Sequence, residues 1–218
     1  MRSPFFFLFV SAFILGGCSN PRTAAKKELE EQNIQFTNDD FVLAASTGNV
    51  PVLILFGKAG INVNGRNNEG STALIEAAAN GKTRAAGLLL AAGADPRLTN
   101  RHGRDALIAA AAGGYTEIGQ LLLSRGANPT IRDSAGWTAL TLAAFTGHTG
   151  IVRLLAAQAP QKHLDEALLL ASHNGDRDTV SSLLSQGAFV DARSPDELTP
   201  LVIAAKNGNF EVAHLLLQ

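Results

Sequence analysis

The sequence predicts an all-α solenoid of about six helix-turn-helix units joined by short β-hairpin fingers. The main observation is a glycine that recurs every 33 residues, with a single shorter interval of 28. An alanine pair or near-pair precedes each of these glycines, and an apolar patch, mostly leucine-rich, follows it. Self-similarity at such a period is the signature of stacked repeats that bury their apolar faces against one another. The recurring glycines are Gly48, Gly81, Gly114, Gly147, Gly175 and Gly208.

The composition supports a folded chain and excludes several classes of protein. The 218 residues are 46% apolar, which is enough for a substantial core. Because 18 Lys and Arg balance 19 Asp and Glu, the chain lacks the basic excess that nucleic-acid-binding proteins need to neutralise phosphates. With Cys18 as the single cysteine, neither an intrachain disulfide nor a cysteine-cluster metal site is available. We expect a monomer that does not bind nucleic acid.

The first element along the chain is an apolar stretch over residues 5–15, preceded by Arg2. As a helix it covers about 20 Å, which is short of the ~30 Å hydrocarbon core of a bilayer. A basic start, an apolar stretch of this length and small residues after it are typical of a secretory signal. The stretch ends in Leu15-Gly16-Gly17-Cys18, which resembles the lipobox of bacterial lipoproteins.

The lipobox resemblance implies that residues 1–17 are a cleaved signal peptide and that Cys18 carries the lipid. The family attaches diacylglycerol to the thiol and acylates the new amine, and two or three chains anchor a soluble domain stably. Because Ser19 rather than Asp follows the cysteine, the resemblance favours the outer membrane, with the protein facing the periplasm. A plain signal peptide with an incidental cysteine and an uncleaved N-terminal anchor are the alternatives.

The next element, residues 18–35, contains the lipidated cysteine and a flexible tether. It is polar, as in Lys26-Lys27-Glu28-Leu29-Glu30-Glu31, and lacks an apolar stripe at helical spacing. We expect at most a nascent helix here.

Residues 36–218 form the repeat domain, with two short antiparallel helices in each unit. The alanine-rich first helix is narrow, so neighbouring units stack closely, and the leucine-rich second helix fills the space between units. A second glycine twelve residues after the turn ends the second helix in four units, as a left-handed cap does. Thr72, Thr138 and Thr199 are placed to cap the following first helices.

The motifs at these positions resemble those of ankyrin repeats. Gly136-Trp137-Thr138-Ala139-Leu140 and Leu198-Thr199-Pro200-Leu201 are similar to the start of the family's first helix. Gly93-Ala94-Asp95-Pro96 and Gly126-Ala127-Asn128-Pro129 are similar to its hairpin. The resemblance covers all six units and implies a module that binds other proteins. One departure is the family's histidine after the motif leucine, which this chain replaces by Ile75, Ile108, Thr141, Leu169 and Val202.

The interval of 28 residues between Gly147 and Gly175 is five short of the period. Pro160-Gln161-Lys162-His163 stands where a full hairpin is expected, so one finger should be truncated. The gap is either neutral variation in loop length or a notch shaped for a partner.

The sequence carries no pattern that points to an enzyme. Gly-x-Ser-x-Gly and His-Glu-x-x-His motifs do not occur, and no two histidines lie three or four residues apart. Gly81-Lys82-Thr83 lacks the glycine of a phosphate-binding loop, since Glu76 occupies that position. We therefore assign no catalytic, cofactor-binding or metal-binding residue.

The ankyrin resemblance implies that a partner binds to the concave face, made of finger tips and the exposed side of the first helices. Trp137 is the only tryptophan, and Phe145 lies two helical turns after it. Trp137 is either a binding hot spot, as exposed tryptophans often are, or a packing residue between fingers. The predicted partner-binding residues are Arg101, His102, Arg104, Trp137, Phe145, Thr146, His173, Leu198 and Lys206.

The functional hypothesis is a lipid-anchored periplasmic module that binds or inhibits a protein partner sterically. Lipoproteins with such scaffolds resemble immunity proteins against periplasm-delivered toxins, including phospholipase effectors of type VI secretion. The alternative is an adaptor or chaperone-like scaffold for a periplasmic enzyme.

Overall fold

The computed structural model describes residues 20–218, so the predicted lipobox and Cys18 lie outside the described residues. Within that range the chain forms thirteen α-helices and no β-sheet. None of these helices is both long and apolar enough to cross a membrane. The helices are α1 (Pro21–Glu31), α2 (Asn38–Thr47), α3 (Val50–Ala59), α4 (Ala73–Ala79), α5 (Thr83–Ala91), α6 (Ala106–Ala112), α7 (Thr116–Ser124), α8 (Ala139–Thr146), α9 (Thr149–Ala156), α10 (Gln161–Asn174), α11 (Arg177–Ser185), α12 (Pro200–Lys206) and α13 (Phe210–Leu216).

The predicted solenoid of six helix pairs is confirmed. The first helices of the units pack in one row from α2 to α12, and the second helices pack in a parallel row from α3 to α13. The alanine pairs of the first helices are almost completely buried, as Ala110 and Ala111 illustrate. Leu89, Leu122 and Leu155 of the second helices are buried between units. A continuous core therefore runs the length of the array, built from contacts between neighbouring units.

The predicted threonine caps are present at the starts of three first helices. The hydroxyl of Thr72 accepts a hydrogen bond from the backbone N–H of Ile75, and Thr199 does the same for Val202. Thr138 forms a reciprocal capping box with Thr141. Thr141, which stands where the family has histidine, thus supplies a buried hydrogen bond that the sequence did not indicate. In the third unit the cap is Asp105, whose side chain is fully buried.

Two physical reasons explain why glycine occupies these turns, and Gly114 illustrates both. Its backbone lies in the left-handed region, with φ of 71°. A Cβ atom at this position would also lie 2.7 Å from the ring of His148 in the next unit. The same ring places its Nε2 atom 3.1 Å from the carbonyl oxygen of Ala112. The turn therefore links two units as well as two helices.

The prediction of a flexible tether over residues 18–35 is wrong for the described part of that range. Residues Pro21–Glu31 form α1, which is capped by the side chain of Asn20 and packs against α3. Ala25 and Leu29 are buried, and Lys26 lies 4.4 Å above the ring of Phe36. Two apolar residues one turn apart are sufficient to hold α1 in place, because α3 supplies the rest of the apolar surface. Helix α1 thereby covers the first end of the row of second helices.

The predicted β-hairpin fingers are present as connections without strands. The backbone pairing is limited, among described residues, to an isolated bridge between Arg66 and Thr72. Each of the four full-length fingers instead has a short turn in which one carbonyl oxygen accepts from the N–H three residues later, and the N–H of that same residue donates a hydrogen bond to the carbonyl oxygen four residues later. In the third finger (residues 125–138) this bond joins Asp133 to Trp137 at 2.9 Å. A side-chain oxygen at the first of these two positions completes the turn, so side chains replace the ladder of a hairpin.

The truncated finger is confirmed. Helices α9 and α10 are joined by residues 157–160 alone, whereas the third finger and the fifth finger (residues 186–199) are full connections. Helix α10 has 14 residues, about twice the length of the other first helices of the third to sixth units. Its added N-terminal turns replace the missing finger.

Candidate partner-binding groove

The truncated connection opens a groove of about 1190 Å³ on the concave face. The third finger and the fifth finger form its two walls, and the exposed sides of α10 and α12 form its floor. The residues that line it are Arg132, Ala135, Gly136, Trp137, Thr141, Lys162, Asp165, Glu166, Leu169, Leu170, His173, Arg193, Ser194, Pro195, Asp196, Leu198, Ile203, Lys206 and Asn207.

Trp137 stands on the wall formed by the third finger, and its position is fixed by local contacts. The Oδ1 atom of Asp133 accepts hydrogen bonds from the backbone N–H groups of Trp137 and Ala135, both at 2.9 Å. The indole ring lies against Phe145, with ring centroids 5.1 Å apart and planes tilted by 38°. Trp137 is half-buried and Phe145 is 43% exposed, so the pair offers an apolar surface to solvent.

Asp133 is the anchor of this wall. Burial would raise the pKa of its carboxyl group, but hydrogen bonds from the Trp137 backbone, the Arg104 side chain and the Ala135 backbone outweigh burial and hold the pKa below its ordinary value. The Nε atom of Arg104 lies 2.9 Å from Oδ2. Because Arg104 belongs to the preceding finger, the charged carboxylate ties two fingers together.

Helix α10 and the third finger are joined by an ion pair at the floor. The Nη2 atom of Arg132 lies 2.7 and 3.0 Å from the two carboxylate oxygens of Glu166. His163 of α10 is also buried, and burial lowers the pKa of its imidazole. The positive charges of Arg132 and Lys162 lower that pKa further, against the opposing effect of Glu166. His163 is therefore a neutral packing residue at neutral pH.

The predicted partner-binding residues fall into two groups. Trp137, His173, Leu198 and Lys206 line the groove, and Phe145 contacts Trp137. The remaining four lie outside the groove lining: Arg101 lies against Gly70, the carbonyl of His102 accepts hydrogen bonds from Ser134, Arg104 is paired with Asp133, and the Thr146 hydroxyl donates to its own helix. The role of all nine residues in binding stays a prediction.

Sequence reasoning missed most of the groove floor. Lys162 and Glu166 were not predicted to bind a partner, because they lie on the added N-terminal turns of α10, which have no counterpart in the other units. Leu169 and Leu170 lie on turns that all units share, but Leu169 was noted only as a replacement for the family's histidine. The signal was the shortened interval before Gly175. Among residues 20–218, no three His, Cys, Asp or Glu side chains are grouped so that they could hold a metal ion.

Comparison with known proteins gives the family. The family model described as ankyrin repeats (3 copies) matches residues 41–133, 77–166 and 160–218. The ankyrin-repeat domain of Bcl-3, described as a unique member of the IkappaB protein family, is similar in structure with a TM-score of 0.71. The two are 26% identical, and the likeness covers 81% of this chain and 84% of that one. No curated protein matches the sequence. The chain therefore belongs to the ankyrin-repeat family, whose fold is a scaffold for binding other proteins.

Proposed function

We propose that this chain is a lipid-anchored module that holds a protein partner in the groove between the third and fifth fingers. The observation that carries the proposal is the groove itself, an open concavity with Trp137 on one wall and Leu198 on the other. Apolar side chains at the centre of a concave site, surrounded by polar and charged groups, are typical of interfaces that bind proteins.

The anchor in this proposal is Cys18, supported by the lipobox resemblance of Leu15-Gly16-Gly17-Cys18. The lipid would retain the module at the outer membrane, facing the periplasm, and binding there would act by steric occlusion. We favour the role of an inhibitor, such as an immunity protein against a periplasm-delivered toxin of the phospholipase type. A rigid groove whose walls are fixed by the Asp133 and Arg132 contacts suits occlusion, because little order has to be created on binding.

Inhibition and the alternative adaptor role make different predictions for the partner's activity. A partner captured from detergent-solubilised envelopes can be purified and titrated with the module. An inhibitor abolishes the partner's activity at one equivalent, whereas an adaptor leaves that activity unchanged or raises it. An unchanged activity at saturation would contradict the inhibitor role and leave the adaptor role standing.

We expect Trp137→Ala to weaken partner binding by about thirtyfold or more, since truncation of a hot-spot residue costs roughly 2 kcal/mol or more. The variant should keep its thermal midpoint, because Trp137 is only half-buried and its backbone is held by Asp133. The measurement is the dissociation constant of the captured partner by calorimetry. Glu117→Ala, an exposed change on α7 outside the groove, is the control and should alter neither quantity. A large fall in thermal midpoint with unchanged affinity would make Trp137 a packing residue.

We expect Cys18→Ala to release the protein from the membrane fraction and to abolish labelling with radioactive palmitate. The reason is that Cys18 is the sole cysteine of the sequence, so its thiol is the one thiol available for lipid attachment. Fractionation and labelling of cells that express the wild type and the variant check this expectation. A variant that remains in the membrane, beside a wild type that takes up no palmitate, would contradict the anchor.

A further inference from the structure

We propose that the groove receives one α-helix of the partner, an acidic amphipathic helix that lies between the third and fifth fingers. The occupant is defined by three features of the groove: its width, the register of its apolar side chains and its unpaired charges. This inference rests on the proposed function, because it names the chemistry of the segment that the groove holds.

The width of the gap fits a helix. Packed helices lie 8–10 Å apart, so the fingers that precede α8 and α12, two steps apart in the stack, are separated by roughly 16–20 Å. The connection over residues 157–160 is too short to place a finger between them. The axis of a helix placed midway would lie roughly 8–10 Å from each finger, which is the ordinary packing distance between helices. The groove volume of about 1190 Å³ also exceeds the usual range of small-molecule pockets, which is about 300–1,000 Å³.

Apolar side chains stand at equivalent positions on the two walls. Trp137 precedes the capping Thr138 of α8, and Leu198 precedes the capping Thr199 of α12; both line the groove. In the second and third units the same position holds Ser71 and Arg104.

The floor between the two walls is apolar as well. It presents the side chains of Leu169, Leu170 and Ile203. A partner helix with apolar residues at positions i, i+3 or i+4, and i+7 would place one row of side chains on this floor and against both walls.

The charges of the groove favour carboxylates on the partner. The groove lining carries four basic side chains and three carboxylates, an excess of one positive charge: Arg132, Lys162, Arg193 and Lys206 against Asp165, Glu166 and Asp196. Arg132 is paired with Glu166, whereas Asp165 keeps its charge and accepts hydrogen bonds from Gln161 and from the backbone of Phe189.

Within the described residues, Lys162 and Lys206 form neither an ion pair nor a side-chain hydrogen bond. Among the carboxylates that line the groove, Asp196 alone likewise has neither an ion pair nor a side-chain hydrogen bond. Lys162 lies in the first turn of α10, which holds no acidic residue, so the helix dipole adds to its positive field. The positive excess of the lining, with Lys162 at the start of α10 and Lys206 on α12, therefore favours acidic residues beside the partner's apolar stripe.

The test uses three fluorescein-labelled synthetic peptides and the full-length, detergent-solubilised protein. The first is a hydrocarbon-stapled helix with a Leu and Phe stripe flanked by Glu, the second has Lys in place of Glu, and the third is the acidic sequence broken by two prolines. Fluorescence anisotropy should give the acidic helix a dissociation constant about tenfold lower than that of either other peptide. Equal affinity of the proline-broken peptide, tighter binding of the basic helix, or no binding of the acidic helix would each overturn the proposal.

Two variants assign the binding to the groove. The double change Lys162→Glu and Lys206→Glu should reverse the preference, so that the basic helix binds more tightly, whereas the charge-matched control Arg84→Glu and Arg153→Glu on exposed second-helix positions should not. Insertion of five residues after Gln158 restores the 33-residue interval and should abolish binding of both helices. If that insertion unfolds the chain, as circular dichroism would show, the lysine variants decide alone.

The outcome also separates this proposal from the proposed function. If capture of the envelope partner requires Trp137 but is undiminished in a folded finger-restored variant, the module still binds protein through the concave face and the helix proposal fails. If Trp137→Ala leaves capture of the envelope partner intact, the proposed function fails together with the helix proposal.

Discussion

Replacement of Leu122 by alanine is expected to lower the free energy of unfolding by about 2–5 kcal/mol. Leu122 lies in α7 and is completely buried between the second helices of neighbouring units. The change removes apolar contacts and leaves a cavity that α5 and α9 cannot close without shifting. Urea unfolding followed by far-ultraviolet circular dichroism measures the loss.

Leu217→Ala is the matched control for Leu122→Ala, because the chemical change is the same. Leu217 follows α13 at the other end of the row and is 70% exposed. Its truncation removes little buried area and should cost well under about 1 kcal/mol. Similar losses at the two positions would contradict a stability that resides in the interfaces between neighbouring units.

Asp105→Thr is expected to stabilise the protein by about 3 kcal/mol at pH 7.5. The carboxyl group of Asp105 caps α6 by accepting a hydrogen bond from Ile108 at 2.8 Å. Its Oδ2 atom is buried without a hydrogen-bond partner among the described residues. Burial raises the pKa of Asp105 to about 6, although backbone hydrogen bonds from Ile108 and Leu107 act in the opposite direction. Threonine keeps the capping oxygen, as Thr72 and Thr138 do in neighbouring units, without the charge.

The gain from Asp105→Thr should depend on pH in a defined direction. Because the folded pKa of about 6 exceeds the unfolded value of 3.8, the folded wild type binds more protons between these values and loses stability as pH rises through that window. A pKa difference of one corresponds to about 1.4 kcal/mol, so the loss approaches about 3 kcal/mol above pH 7, falls to about 0.5 kcal/mol near pH 4 and vanishes at lower pH. The variant lacks this dependence, and the two stability curves should converge at acid pH.

A reciprocal change provides the control. Thr72→Asp places a buried carboxyl group at the equivalent cap of α4 and should destabilise the protein at pH 7.5 but much less at pH 4. Chemical unfolding at both pH values measures the effect of each variant. A gain from Asp105→Thr that is the same at pH 4 and pH 7.5 would show that the charge is not its cause.

The repeat architecture was predictable because its determinants are local and repeated. The turn glycines, the alanine pairs and the threonine caps each act within one unit or between adjacent units. Thr138 caps its own helix, and Gly114 accommodates His148 of the next unit. The position of Trp137 beside Phe145 followed from the same register.

The parts that sequence reasoning missed depend on contacts outside that register. Leu29 alone does not predict a helix, and α1 is stabilised by the surface that α3 offers. The pair formed by Arg132 and Glu166 joins residues 34 apart in the chain, and the extension of α10 that brings them together occurs in a single unit. A departure from the repeat could be located in the sequence, but the surface it creates could not be described.

The docked helix α1 sets how far the module can reach from its proposed anchor. Only Ser19 and Asn20 separate Cys18 from the first residue of α1. Two extended residues span at most about 7 Å, whereas a flexible linker over residues 18–35 would have a mean extension of roughly 20–25 Å. The groove is centred on the fifth unit, five packing steps from α1, or roughly 40–50 Å at the spacing of packed helices. If the proposed anchor and partner helix hold, a rigid arm would fix the capture radius, and a partner would have to bring its helix within that radius of the bilayer surface.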